Sequence, residues 1–244
     1  MCRNLPRFFT NYIDENNITI TGDDARHIGR SLRMKIGDSV TVCCNNIDYN
    51  CNIASISDEE VRLALNEAVP CASEPDINVT LYQAVPKLDK LEFIIQKSVE
   101  LGVSRIVPFI SRRCVSRPDE KDFSKKLIRL NKISEQASKQ SGRGIIPQVM
   151  PIINYKKALE DMALQDKIIF LYENGGKNFS EINLEGLKNI GIVIGSEGGF
   201  DSDEVESALE NTSAETVWLG KRILRCETAP ITALSILMFL TKNI

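Results

Sequence analysis

Hydrophobic and polar positions along this chain change their period after Pro75. Before it, short alternating runs recur at Arg7–Thr10, Ile18–Thr21, Val40–Cys44, Cys51–Ile56 and Val61–Leu65, separated by turns rich in Asn, Asp, Gly and Ser. Period-2 runs at this spacing predict a small β-barrel. Gly22–Met34 breaks the alternation, because Ala25, Ile28 and Leu32 fall at helical intervals while Arg26, His27, Arg30 and Arg33 lie mostly on other faces. Gly37–Asp38 marks the turn back into strand. Glu67–Pro75, with Pro70, Ser73 and Pro75 among small residues, reads as a linker.

From Ile77 onward, apolar runs alternate with amphipathic stretches. Strands are predicted at Ile77–Val85, Val103–Ile110, Ile145–Met150, Lys167–Tyr172, Ile190–Ile194 and Val217–Leu219. Helices are predicted at Leu88–Leu101, Phe123–Ser141, Tyr155–Ala163, Asp201–Leu209 and Glu227–Lys242. Gly102 and Gly142 stop the first two. Asp201 with Glu204 makes a capping box, and Pro230 sits in a first turn, where proline is tolerated. Such alternation predicts a parallel sheet covered on both faces. The division expected is therefore 1–72 and 73–244.

Composition narrows the classes. At 43% hydrophobic the chain has enough apolar material for a core. Its apolar runs are far shorter than the roughly 18 residues of a membrane helix. Met1–Pro6 leads into no long apolar stretch, so no secretory signal is expected and the chain is read as cytoplasmic, with no membrane partner. Seven cysteines (Cys2, Cys43, Cys44, Cys51, Cys71, Cys114 and Cys226) include no C-x-x-C pair, and there is one histidine. They read as free cytosolic thiols, and no metal is expected. Net charge is −3, but residues 87–143 carry 14 Lys/Arg against 7 Asp/Glu, and residues 151–244 carry 9 against 14. A basic middle on an acidic chain presents a phosphate-binding face or simply solvated helices; charge alone does not choose.

Candidate chemistry concentrates in two glycine-bearing loops. Gly195–Ser196–Glu197–Gly198–Gly199–Phe200 follows one apolar strand, and Gly220–Lys221–Arg222–Ile223–Leu224–Arg225–Cys226–Glu227 follows another. Glycine lets main-chain groups approach a ligand, and ligands of open α/β sheets bind beyond the carboxyl ends of strands. The P-loop, the G-x-G-x-x-G fingerprint and the G-x-S-x-G elbow are all missing. His27, the lone histidine, lies outside this region, so a histidine-based triad has no member. One glycine alone serves a tight turn. Two such loops with clustered Glu197, Lys221, Arg222, Arg225 and Glu227 favour a pocket for an adenosine-like ligand held by main chain, of which S-adenosylmethionine is one.

The loops resemble the cofactor-binding segments of the trefoil-knotted SPOUT methyltransferases, above all the bacterial family that methylates N3 of a uridine in 16S ribosomal RNA. Further blocks carry the likeness: His27–Arg33 with Gly37–Asp38, Lys87 with Lys97–Val103, Arg112–Arg113, and Glu135 with Gln140–Arg143 and Pro147. Two positions depart: Ser196 stands where the family has proline, and Cys226 where it has threonine. The resemblance implies an N-terminal PUA-like β-barrel, a knotted parallel-sheet domain, a homodimer, and a 16S rRNA or small-subunit partner. It implies that S-adenosylmethionine is held by Leu171, Gly195, Glu197, Gly198, Gly199, Leu219, Gly220, Ile223, Leu224, Arg225 and Thr228.

The expected chemistry follows. A fixed arginine stabilises charge on the uracil carbonyl oxygens as N3 loses its proton. Arg225 is the first candidate and Arg143 of a second subunit the next; Glu197 or Glu227 would accept the proton. The alternative for Glu197 is a structural carboxylate tied to loop N–H groups. Arg7, Arg26, Arg30, Arg33, Arg112 and Arg113, with His27, are candidate RNA contacts. Phe8 and Phe9 either stack bases or fill the barrel. Three other readings stay open: a SPOUT enzyme acting on transfer RNA or on ribose 2′-OH, a non-catalytic ribosome-assembly factor, and a metabolic enzyme for an adenosine-like ligand.

Overall fold

A computed structural model describes residues 5–14, 17–57, 59–87 and 90–244. The chain divides into two compact units. One comprises Met1–Glu74 with Ser138–Ile145; the other comprises Pro75–Ala137 with Ile146–Ile244.

The first unit holds β1 (Arg7–Phe9), β2 (Ile18–Thr21), α1 (Gly22–Arg26), β3 (Ser39–Cys44), β4 (Ile47–Ile56) and β5 (Glu60–Pro70). The strands order as β1-β3-β4-β5-β2. Only β1 and β3 run parallel. Register shifts at Asn50/Cys51 and Ile53/Ser55 bend the β4–β5 ladder. β1 and β2 remain the two edges, so the sheet is a half-barrel and not the closed barrel expected. Alternating residues, among them Ile18, Ile20, Val40, Val42, Val61 and Leu63, make its core with Phe8 and Ile28. Phe8 is thus a core residue.

Two expectations change here. The predicted helix over Gly22–Met34 is one α-turn that widens into a π-type turn at His27–Ser31, and Arg33 adopts φ +52°. The predicted linker begins later than Glu67. Long β4 offers a ladder to Glu67–Pro70, and Pro70 is tolerated at a strand end.

The second unit contains β6 (Asn78–Ala84), α2 (Lys90–Glu100), β7 (Arg105–Ile110), α3 (Glu120–Ser141), β8 (Gln148–Val149), β9 (Ile153–Asn154), α4 (Tyr155–Met162), β10 (Lys167–Leu171), β11 (Lys177–Asn178), β12 (Asn189–Ile194), α5 (Ser202–Asn211), β13 (Ala214–Trp218) and α6 (Thr228–Leu240). The last turn of α3, from Ser138, belongs to the first unit. The helix expected from Leu88 has its first two residues outside the described ones. All pairings in this sheet are parallel, in the order β11-β13-β10-β12-β6-β7-β8, with β9 also on β7.

Both faces of the sheet are buried, which explains why its strands read as near-continuous apolar runs. Ile169, Leu171, Ile190, Ile192 and Ile194 pack on one side with Ile94, Ile95, Phe123, Leu234 and Leu237. Ile168, Phe170 and Val193 pack on the other with Ala158, Met162, Val205 and Ala208. The expected strand at Ile145–Met150 shrinks to β8, because residues through Ile145 belong to the first unit.

Candidate functional site

The strand order sets the site. β10 lies between β12 and β13, so the segments following these three parallel strands emerge side by side at their carboxyl ends. They enclose a cleft of about 540 Å³, within the range of ligand sites. Leu171, Tyr172 and Glu173 line it after β10, Gly195–Phe200 after β12, and Leu219–Cys226 after β13, joined by Lys90 from the start of α2. All expected cofactor residues therefore meet in one cleft except Thr228, the exposed first residue of α6, which is not among the lining.

The first loop is a tight turn. The Gly199 N–H donates to the Ser196 carbonyl at 3.0 Å. Gly199 has φ +64°, and the Glu173 carboxylate occupies the space a Cβ there would need. A Cβ on Gly198 would lie 2.9 Å from the Arg113 carbonyl oxygen. The loop thus packs its back against Arg113 and presents main chain to the cleft, a cradle suited to a nucleoside. Ser196, in place of the family's proline, is buried and donates its hydroxyl to the Arg113 carbonyl at 3.3 Å.

Lys90 ties this loop to the second. Its ammonium lies 2.9 Å from Glu197 Oε1 and 3.2 Å from Glu227 Oε2. The Lys87 N–H donates to both oxygens of Glu197, at 3.1 and 3.3 Å. Burial alone would raise the Glu197 pKa, but the Lys90 and Lys87 hydrogen bonds outweigh it and hold it below the usual carboxylate range. Glu227 is likewise held low, because bonds from its own N–H, Cys226 and Lys90 outweigh burial. The contact with Glu197 raises the Lys90 pKa. Burial, with the bond to Glu227, pushes the Cys226 thiol to about 12, so it is un-ionised at neutral pH. Of the two roles expected for Glu197, proton acceptor or structural carboxylate, these bonds favour the second, because a carboxylate that accepts from the Lys90 ammonium and the Lys87 N–H is a weak base.

Arg225 lines the cleft, is exposed, and has no hydrogen-bond or ion-pair partner for its guanidinium among the described residues. Its carbonyl anchors the start of α6, accepting from the N–H groups of Thr228 and Ala229 at 2.9 Å each. Arg112 and Arg113, expected at RNA phosphates, face the N-terminus of α5. Arg112 pairs with Asp203 at 2.7 Å and Asp201 at 3.2 Å; Arg113 lies 3.8 Å from Asp201. Asp201 and Glu204 form the predicted capping box.

The remaining candidates lie in the first unit. Arg143 is buried, in a two-pronged ion pair with Glu74 at 2.7 and 2.8 Å. That geometry leaves it no face for substrate in this chain. Arg7 is also nearly buried, doubly bonded to Asp48 at 2.5 and 2.7 Å, so its charge is spent internally. Arg26 pairs with Asp23 on the surface, and His27, Arg30 and Arg33 are exposed beside it in sequence. Sequence reasoning missed Lys90 and Glu173 as site residues. Lys90 stands three residues from Lys87, one of the residues that carry the family resemblance, but only strand order brings it to the loops.

Comparison with known proteins agrees with this architecture. The family described as RNA methyltransferase domain matches residues 73–238, and that described as RNA methyltransferase PUA domain matches residues 20–65. The chain belongs to the RNA methyltransferase family that these domains define and that includes the ribosomal RNA small subunit methyltransferase E proteins. Such a protein from Bacillus subtilis is 37% identical over 92% of this chain and 90% of its own length. One from Mesomycoplasma hyopneumoniae is 36% identical over 92% and 95%. A crystal structure of the Neisseria gonorrhoeae protein bound to S-adenosyl methionine is 30% identical, with a TM-score of 0.87 over 97% of this chain and 98% of that one.

Proposed function

We propose that this protein transfers the methyl group of S-adenosylmethionine to N3 of a uridine in 16S ribosomal RNA of the small subunit, in the cytoplasm. The observation that carries the reading is the meeting of two glycine loops and Lys90 around one cleft at the carboxyl ends of β10, β12 and β13. Main chain of Leu171, Gly195, Gly198, Gly199, Leu219, Gly220 and Leu224 would hold the donor. When bound, that donor supplies a methyl group already activated on a sulfonium. The protein's own tasks are alignment, exclusion of water and stabilisation of charge on the base.

Arg225 is assigned to that charge. Its unpaired guanidinium lines the cleft, and it can donate to a carbonyl oxygen of uracil as N3 is deprotonated. Glu197 orders the first loop instead of taking the proton. Arg26, Arg30 and Arg33, with His27, are assigned to RNA phosphates. The segments around 190–230 are proposed to close as a trefoil knot, which stretching the chain from its two ends would reveal as a contour shorter than its residues allow. The protein is further proposed to act as a homodimer.

Arg225→Ala tests the assignment. Turnover on small-subunit RNA should fall at least ~100-fold, while the dissociation constant for S-adenosylmethionine moves less than about threefold, since the lost interaction belongs to the transition state. Near-native turnover would remove Arg225 from the chemistry. Methylation at a transfer RNA or a ribose hydroxyl instead of uridine N3, read by mass spectrometry, would replace the substrate.

A further inference from the structure

The cleft is to hold a cation, yet most charged side chains that line it are themselves cationic. Lys90, Lys221, Arg222 and Arg225 all border it. The lining carboxylates are Glu197 and Glu173. Glu197 already accepts from the Lys90 ammonium and from the Lys87 N–H. Glu173 is different: among the described residues it has no hydrogen-bond donor and no ion-pair partner, although unpaired basic residues share the cleft. It leaves the end of β10 with its carboxylate laid over Gly199, filling the place of the missing Cβ, with Oε2 3.2 Å from that position. Gly199 therefore does two things. It permits the turn, and it lets an unpaired carboxylate approach the donor-binding loop with Oε1 foremost.

We propose that Glu173 is the specificity residue by which the cleft distinguishes the sulfonium donor from its spent thioether product. This rests on the reading of the cleft as a methyl-donor site. S-adenosylmethionine carries a sulfonium, an ammonium and a carboxylate, a net charge of +1. Losing the methyl group leaves S-adenosylhomocysteine, whose sulfur is neutral and whose net charge is zero. The two share every other group, so a carboxylate that faces the sulfur would tell them apart, whereas one that faces a shared group would not. A free carboxylate in a partly enclosed cleft attracts the charged donor and releases the neutral product.

Calorimetry with the intact chain tests this, using S-adenosylmethionine and S-adenosylhomocysteine as the two probes. In Glu173→Gln, the dissociation constant for S-adenosylmethionine should rise about tenfold while that for S-adenosylhomocysteine changes less than about twofold. Glu173→Asp, which keeps the charge, should recover part of the preference. An equal loss for both ligands would mean that the carboxylate serves a group they share, such as the ribose hydroxyls, and would overturn the proposal. So would two unchanged isotherms. Failure of the unsubstituted chain to bind either ligand would overturn the reading of the cleft itself, a result distinct from an unchanged preference.

Discussion

Lys90 holds carboxylates from both glycine loops within 3.2 Å of one ammonium. Each partner changes the others' proton affinity: Glu197 and Glu227 lie below their ordinary value of 4.5 and Lys90 above its own of 10.5. A carboxylate lowered by folding stabilises the folded loops above pH 4.5. That contribution disappears as pH falls through the lowered value. A lysine raised by folding contributes below pH 10.5 and loses the contribution as pH rises through the raised value. Loop order should therefore be flat across neutral pH and fail in acid. In Lys90→Met the Glu197 carboxyl loses its cation while its partial desolvation remains. Its pKa, followed by carbon-13 NMR titration, should rise from its lowered position, because the largest favourable contact to its charged form is gone. An unmoved titration would show that the Lys87 N–H, not Lys90, sets the charge state of the loop.

At the scale of elements, α6 raises a different question. Its apolar residues surround the helix: Ala233, Leu234, Leu237 and Met238 are buried, while Phe239 and Leu240 are exposed, Phe239 at 71%. A helix apolar on all sides is normally buried on all sides. The proposed homodimer would cover the outer face. Phe239→Glu should then shift the sedimentation profile from dimer to monomer and leave the thermal midpoint of the monomer little changed, because the side chain is outside the core. A profile that stays dimeric would place the interface elsewhere. The helix itself was legible in the chain, as were β6, β7, β10, β12 and β13 of the parallel sheet, because a strand buried on both faces needs an unbroken apolar run such as Ile190–Ile194; β8, β9 and β11, two residues each, are too short to show one. The α5 capping box was legible because Asp201 and Glu204 act within one turn. The end of β5 is not legible because Pro70 and the small residues near it resemble a linker, and only pairing with Ile47–Asn50 makes Glu67–Pro70 a strand. The charged partners of the site were not legible, since Lys90 and Glu197 meet only through the β6–β12 pairing.

For the whole molecule, the least expected feature is that the chain leaves its first unit at Glu74 and returns to it at Ser138–Ile145. The returning segment is bonded throughout. Lys139 pairs with Asp24 at 3.0 Å and lies over the Phe8 ring, the Gly142 carbonyl accepts from Ser73 at 2.6 Å, and the Gly144 carbonyl accepts from Cys43 at 3.2 Å. Burial pushes that Cys43 thiol to about 12. Glu74 accepts from Arg143 and from the N–H groups of Gly144 and Ile145. Burial opposes its charge, but these donors prevail and hold its pKa below 4.5, so this contribution too is lost in acid. Leaving one member of a buried ion pair without its partner costs about 3–5 kcal/mol, against a total stability of roughly 5–15 kcal/mol for a typical domain. A fragment ending at Glu74 loses Arg143 and every other bond of the return segment at once. It should show no cooperative thermal transition by circular dichroism, although it keeps all five strands of its sheet. A sharp transition near that of the full chain would mean that the half-barrel folds without residues 138–145, and that the Glu74–Arg143 pair serves some purpose other than holding it together.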